Sequence, residues 1–179
     1  MEGRPLVELA RRHGSDNPFE RAIAHAAANA HWNQPDSPGV PRNGLDLVPE
    51  PQMQTVVIGR FPDLADRLPN AKVIERNPGP GDYPESAAPD LLAAAKTVLI
   101  TASSLGNGSF GNLLDLARHA YVILLGPSTP LCPGLFDQGV DALSGLVLTD
   151  PSRAGLVCAQ AGGVRDLKQT GRYLSLTAC

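Results

Sequence analysis

Residues 96–112, KTVLITASSLGNGSFGN, constrain the fold more than any other stretch of the chain. The apolar run Thr97 to Thr101 fits a strand buried on both faces. It breaks into Ser103, Ser104, Gly106, Asn107, Gly108 and Gly111, and a helical pattern follows with Leu113, Leu114, Leu116 and Ala117 on one side. A strand, a small-polar loop and a helix start in succession mark the ligand-binding edge of an open parallel sheet. Free backbone N–H groups of the helix point into the crevice there, glycines allow close approach, and Ser and Asn add donors and acceptors. The loop also spells G-x-G-x-x-G through Gly106, Gly108 and Gly111. A dinucleotide fingerprint follows the first strand, however, and this strand reads as the third, so glycines serving backbone geometry alone remain an alternative.

The surrounding chain supplies the alternation such a sheet requires. Pro5 to His13 carries helical spacing, and a second helix is expected from Asn17 as N-cap with Pro18 in its first turn, running through FERAIAHAAANAHW. Residues 33–51 are rich in Pro and Gly and show neither period, which reads as a tether or as a loop lying over the next domain. Strands are then expected at Thr55 to Ile58, Ala71 to Ile74, Thr97 to Thr101, Tyr121 to Leu125 and Leu143 to Leu148, with a further one at Arg172 to Thr177. Helices are expected at Pro62 to Leu68, Pro89 to Ala95 and Pro151 to Gln160. The expected fold is α/β, a Rossmann-like doubly wound and mainly parallel sheet of five or six strands. The domains divide as a helical segment with linker over residues 1–53 and a ligand-binding domain over residues 54–179.

Composition removes several function classes. Aromatic content of 4% argues against a stacking platform for single-stranded nucleic acid, and a net charge of −3 without a basic run leaves no nucleic-acid footprint. No apolar run nears the length of a membrane span and no signal-peptide pattern opens the chain. Cys132, Cys158 and Cys179 are scattered and odd in number, which fits a reducing cytoplasm.

A parallel sheet delivers every strand's carboxyl end to one edge. That edge would gather Gly59, Arg60 and Phe61; Glu75 and Asn77; Thr101, Ser103, Ser104 and Asn107; and Gly126, Ser128 and Thr129. Glu75 stands where nucleotide-binding sheets hold ribose hydroxyls, since a carboxylate accepts two hydrogen bonds from a vicinal diol; a solvated strand end is the alternative. Asp82 and Asp137 are the other acids expected near the edge, as general base or ligand contact, or merely as turn and cap residues. Cys132 follows the fourth strand near the crevice with no histidine close in sequence, which favours an inert thiol over a nucleophile. His25 and His31, six apart, do not share a helix face as a metal pair. No Ser-His-Asp order, Walker loop or C-x-x-C pair is present.

The runs VVIGRFP, VIERNPGPGDYPES, ITASSLGNGSFGNLLDLAR and LLGPSTPLCPGLFDQGVDALSGLVLTDP, in that order, resemble the putative heavy-metal chelation domain family over residues 54–173. NPFERAIAHAAANAHWN is similar to the helix joining that domain to its usual amino-terminal partner, an enolase-N-terminal-like α+β module, most of which the residues before Thr55 are too few to form. The resemblance implies a Rossmann-like fold and a small-molecule or metal-chelate ligand. Two expectations follow. The first is an enzyme, a transferase, lyase or cyclase, using a nucleoside-type cofactor such as S-adenosylmethionine on a small metabolite. Glu75 and the glycine-rich loops would bind the cofactor, and Arg60 or Asp82 would orient the substrate. The second is a non-catalytic protein binding a metal ion or metal chelate. Association into a homo-oligomer, such as a homodimer through the Ala-rich helix, is a further expectation.

Overall fold

The computed structural model describes residues 3–50 and 53–178; Cys179 and the end of the expected linker at Pro51 lie outside them. The chain opens with α1 (Leu6–Ala10) and α2 (Pro18–Trp32). The Asn17 side chain accepts a hydrogen bond from the Phe19 N–H and Pro18 occupies the first turn, so this helix starts where its capping residues require. After residues 33–50 come β1 (Thr55–Ile58), α3 (Leu64–Arg67), β2 (Lys72–Glu75), β3 (Tyr83–Pro84), α4 (Ala88–Ala94) and β4 (Thr97–Thr101). Then follow α5 (Ser103–Asn107), α6 (Phe110–Ala117), β5 (Tyr121–Leu125), β6 (Ala142–Leu148), α7 (Pro151–Ala159), α8 (Val164–Leu167) and β7 (Gly171–Thr177).

The strands form one sheet in the order β3-β2-β1-β4-β5-β6-β7. All pairings from β3 to β6 are parallel, and β7 runs antiparallel to β6. The sheet has seven strands rather than five or six. The missed one, β3, is two residues long and contains Pro84, so neither length nor propensity marks it. It also makes the strand Thr97–Thr101 the fourth in chain order rather than the third.

Successive residues of the central strands face opposite sides of the sheet and both sides are buried. Val56, Val98, Ile100, Val122 and Leu124 pack with Leu92, Leu113 and Ala117 of α4 and α6. Val57, Leu99, Ile123 and Leu125 pack instead with Leu45, Leu47, Val48, Leu64 and Leu68. The second face is short of helix: among the described α-helices only the four-residue α3, between β1 and β2, adds buried residues to its core, whereas the β5–β6 connection packs Leu131, Leu135 and Phe136 on the first face. Residues 43–48 fill the gap. Asn43 caps a 3₁₀ turn, Gly44–Leu47, by accepting from the Leu45 N–H, and the turn inserts Leu45 and Leu47 into the core. The tether expected over residues 33–51 is therefore partly core. Gly44 sits so close to the sheet that a Cβ there would meet Ser144 Cβ at 2.8 Å and Leu125 Cβ at 2.9 Å. Upstream, Val40 exchanges both backbone hydrogen bonds, each 2.9 Å, with Ser175 at the outer edge of β7.

Asn33, the C-cap of α2, ties the amino-terminal helices to the sheet. Its amide donates to the carbonyls of Thr129 (2.9 Å) and Leu146 (3.1 Å) and accepts from the Leu131 N–H (2.9 Å). No described helix is long and apolar enough to cross a membrane.

Candidate functional site

The chain winds outward in two directions from β1 and β4, which lie side by side, so their carboxyl ends flank the topological switch point where open α/β sheets bind ligands. A crevice of two lobes opens there. The first, about 570 Å³, lies over the ends of β2, β1 and β4 beside α5 and α6. The second, about 320 Å³, lies over the ends of β4 and β5, beside Ser144 of β6, and reaches Tyr173 near the start of β7. Arg60, Thr101 and Ser103 border both.

Gly59 turns the chain away from β1 at φ +92°, and a Cβ there would stand 3.0 Å from Thr101 Cγ2. The conformation and the space both favour glycine. Its N–H donates to the Ile74 carbonyl, and the next N–H, of Arg60, donates to Glu75 Oε1 at 2.6 Å. One Glu75 oxygen is thus occupied by the β1 turn, and the other has no partner among the described residues. The Arg60 guanidinium pairs with Asp82, whose second oxygen accepts from the Gly79 N–H at 3.0 Å. The Asp82 side chain is only 3% exposed. Its cover is local, made by its own loop and by Arg60, whose side chain is itself 53% exposed. The guanidinium, and then the Gly79 N–H, hold the Asp82 carboxyl below the ordinary aspartate range, while Asp82 holds Arg60 above its own. A carboxylate stabilised in this way is a weak base, so the pair is better suited to shaping the rim than to taking a proton.

The small-polar segment after β4 is a correction to the expected loop. Residues 103–107 form a helical turn, closed by Gly108 at φ +83°. Ser104 is buried and donates to the Thr101 carbonyl at 2.7 Å, so it fastens this turn to the strand. Thr101 and Ser103 share a 3.1 Å hydroxyl contact, and Asn107 accepts from the Ser109 N–H and hydroxyl. The turn still lines the first lobe, with Glu75, Arg76, Glu85, Ser109 and Asn112 around it.

The residues expected to form one site are divided between the lobes. Gly59, Glu75, Ser104 and Asn107 line the first, Phe61, Gly126 and Ser128 line the second, and Arg60, Thr101 and Ser103 join them. Asn77 is exposed and borders neither lobe, because the chain has by then turned toward the Gly79–Asp82 loop. Thr129 is wholly buried behind Gly126 and Ser128, its hydroxyl without a partner. Asp137 is exposed, ahead of the amino end of β6 at the far edge of the sheet. Cys132 is half-buried away from the crevice, in an apolar cavity of about 290 Å³ between α2 and α5. That cavity also holds His25, whose Nε2 bonds the Ser128 carbonyl at 2.7 Å and whose pKa burial lowers despite this bond.

Sequence reasoning missed Lys168 and Tyr173 of the second lobe. Both come from the chain's last segment. The reversed β7 sets Tyr173 opposite Leu146, so its beginning, not its end, lies at the functional edge. Lys168 sits 6.0 Å from the centre of the Tyr173 ring, and burial pushes the Tyr173 phenol up to about 12, leaving it a neutral donor at working pH.

A family model described as "Putative heavy-metal chelation" matches residues 43–177. Two solved structures of its DUF364 family, both of unknown function, resemble the chain. One, from Desulfitobacterium hafniense DCB-2, is 32% identical with a TM-score of 0.87, over 98% of this chain and 75% of its own. The other, from Pyrococcus horikoshii, is 22% identical with a TM-score of 0.85, over 99% of this chain and 77% of its own, and shows a shared fold. No curated protein matches.

Proposed function

Since this chain belongs to the DUF364 family, we propose that it binds a small polar organic molecule in the two-lobed crevice, and that a heavy metal reaches it as the complex of such a molecule. The observation that carries this reading is the crevice itself: two adjoining lobes at the switch point, joined at the polar side chains of Arg60, Thr101 and Ser103.

The chemistry of the donors favours a chelate over a bare ion. Soft metal ions take thiolate and imidazole ligands, and among the described residues no Cys or His lines either lobe. The nearby carboxylates are already engaged, Asp82 by Arg60, Glu85 by Arg76 and one oxygen of Glu75 by the Arg60 N–H. Among the described residues no three His, Cys, Asp or Glu side chains are grouped to hold a metal. An organic chelator would present hydroxyls and carboxylates, which Ser, Asn and Arg side chains recognise.

A second reading has one observation in its favour. Glu75 ends β2 beside the left-handed Gly59 turn, the place where a ribose diol is held in sheets of this order. On that reading the ligand is a nucleoside cofactor such as S-adenosylmethionine, and the chain is a transferase, lyase or cyclase.

A thermal-melting panel tests both. Citrate with and without nickel or zinc, each metal alone, and S-adenosylmethionine would be compared on the protein and on Glu75→Ala. A ligand at a hundred times its dissociation constant adds about 2.7 kcal/mol, about 5 to 10 °C for a chain of this size. The chelate reading expects the metal–citrate complex to raise Tm and the bare metals not to. A rise with S-adenosylmethionine alone, lost in Glu75→Ala, selects the nucleoside reading. A rise with bare metal sinks both.

A further inference from the structure

The two lobes differ in charge. The first is lined by two acids, Glu75 and Glu85, and by two cations, Arg60 and Arg76, the latter paired to Glu85 at 3.3 Å, so its charges balance. The second is lined by two cations, Arg60 and Lys168, and by no acid. The acids that accompany these cations stand outside it. Asp82 holds Arg60 from the rim, and Asp63 reaches Lys168 only at 3.9 Å. Around the cations are the neutral donors Ser103, Ser128 and Tyr173, set in a mainly apolar wall that includes Leu45, Phe61, Leu125 and Val164. Lys168 is fixed over the Tyr173 ring and its side chain is 34% exposed, so its ammonium is shielded yet reachable. The segment carrying it, α8 and the 3₁₀ turn Lys168–Thr170, is held by the Thr149 and Asp150 N–H groups, both donating to Thr170 O at 2.9 Å.

The geometry points to the second lobe as an anion subsite, built by Arg60, Lys168 and the hydroxyls of Ser128 and Tyr173 for a carboxylate or phosphate on the ligand. This rests on the crevice being the binding site, and it adds a direction. The ligand lies across Thr101 and Ser103 with its hydroxyl-rich or cationic end at Glu75 and its anionic end at Lys168. Two cations lining one partly enclosed lobe offer an anion charge-assisted hydrogen bonds, which are stronger than neutral ones and weaken with salt.

Titration of the isotope-labelled protein with inorganic phosphate, acetate, citrate and neutral adenosine, followed by amide NMR, tests the assignment. Phosphate and acetate are expected to shift the amides of Ser128, Lys168 and Tyr173 and to leave those of Glu75 and Asn107 in place, citrate to shift both sets, and adenosine to leave the Lys168 set in place. Comparison of phosphate with acetate shows which anion the lobe prefers. Lys168→Met, which keeps the stem over Tyr173, is expected to weaken the preferred anion about tenfold, and added NaCl to weaken it in the unaltered protein. Anion-induced shifts confined to the first lobe, or equal affinity in Lys168→Met, overturn the subsite. If the anions bind as expected while no organic ligand raises Tm, the reading of the whole crevice fails and the anion subsite stands.

Discussion

Single residues set the limits of this site and two of them carry measurable consequences. Gly59 combines a left-handed turn with a 3.0 Å approach to Thr101. Gly59→Ala is therefore expected to cost about 1–3 kcal/mol, read as a fall in thermal midpoint, and to displace Thr101 from the crevice wall. His25 has a different consequence. Burial lowers its pKa below the ordinary histidine range, so in the fold it stays neutral where the unfolded chain's histidine takes a proton. Stability from this group is intact above about pH 6.5 and declines as pH falls below it. Asp82, also held low, loses its contribution only near and below its ordinary value of 3.8. Melting midpoints measured from pH 8 to pH 5 should drop for the protein and drop less for His25→Gln. An equal drop in both would remove the assignment. At this scale Glu75 could be found in the sequence because an acid directly after an apolar run declares a strand end. Lys168 and Tyr173 could not, because nothing local says that the last strand is reversed.

Elements are held by a few polar side chains at their junctions. Asn33 satisfies two carbonyls and one N–H at once, and Gly145 passes so close that a Cβ would meet Thr129 O at 2.3 Å and Asn33 Nδ2 at 2.8 Å. Asn33→Ala leaves these groups unpaired in part-buried surroundings and should cost about 2–3 kcal/mol. Gly145→Ala should separate α2 from the sheet, read as loss of amide-exchange protection across α2. Leu45 belongs to the stretch that composition marks as linker. Buried beneath Ile123 and Leu125, it should cost about 2–5 kcal/mol when truncated to Ala, whereas a residue of a free tether would cost nothing in a denaturation curve. Pro and Gly content misled there because it reports missing periodicity, not missing burial. β1, β4 and β5, by contrast, were legible to the residue, since each is an unbroken apolar run buried on both faces.

At the scale of the whole molecule the alternation of strands and helices predicted the α/β sheet and its ligand-binding edge. It did not predict the division of that edge into a charge-balanced and a basic lobe. The lobes are assembled from residues as far apart as Asn43 and Tyr173, and only the strand order brings them together. The same order predicts a stability gradient. Amides of β4 and β5, central and buried on both faces, should exchange only through global unfolding, and those of α1, with no buried residue, far sooner. Exchange of β5 as fast as α1 would contradict a single core.

The two borders of the sheet have a consequence for how copies of the chain can meet. One border is β3, two residues long and containing a proline that has no N–H to offer; the other is blocked midway by Val40 on Ser175. A neighbouring molecule therefore finds no long open template on which to continue the ladder, and growth by strand accretion into fibrils is checked at both borders. Any self-association must be built from helical and loop surface instead. At high concentration the chain should form assemblies of fixed size or none, and removing the Val40 clasp would be the way to turn a finite particle into an extending one.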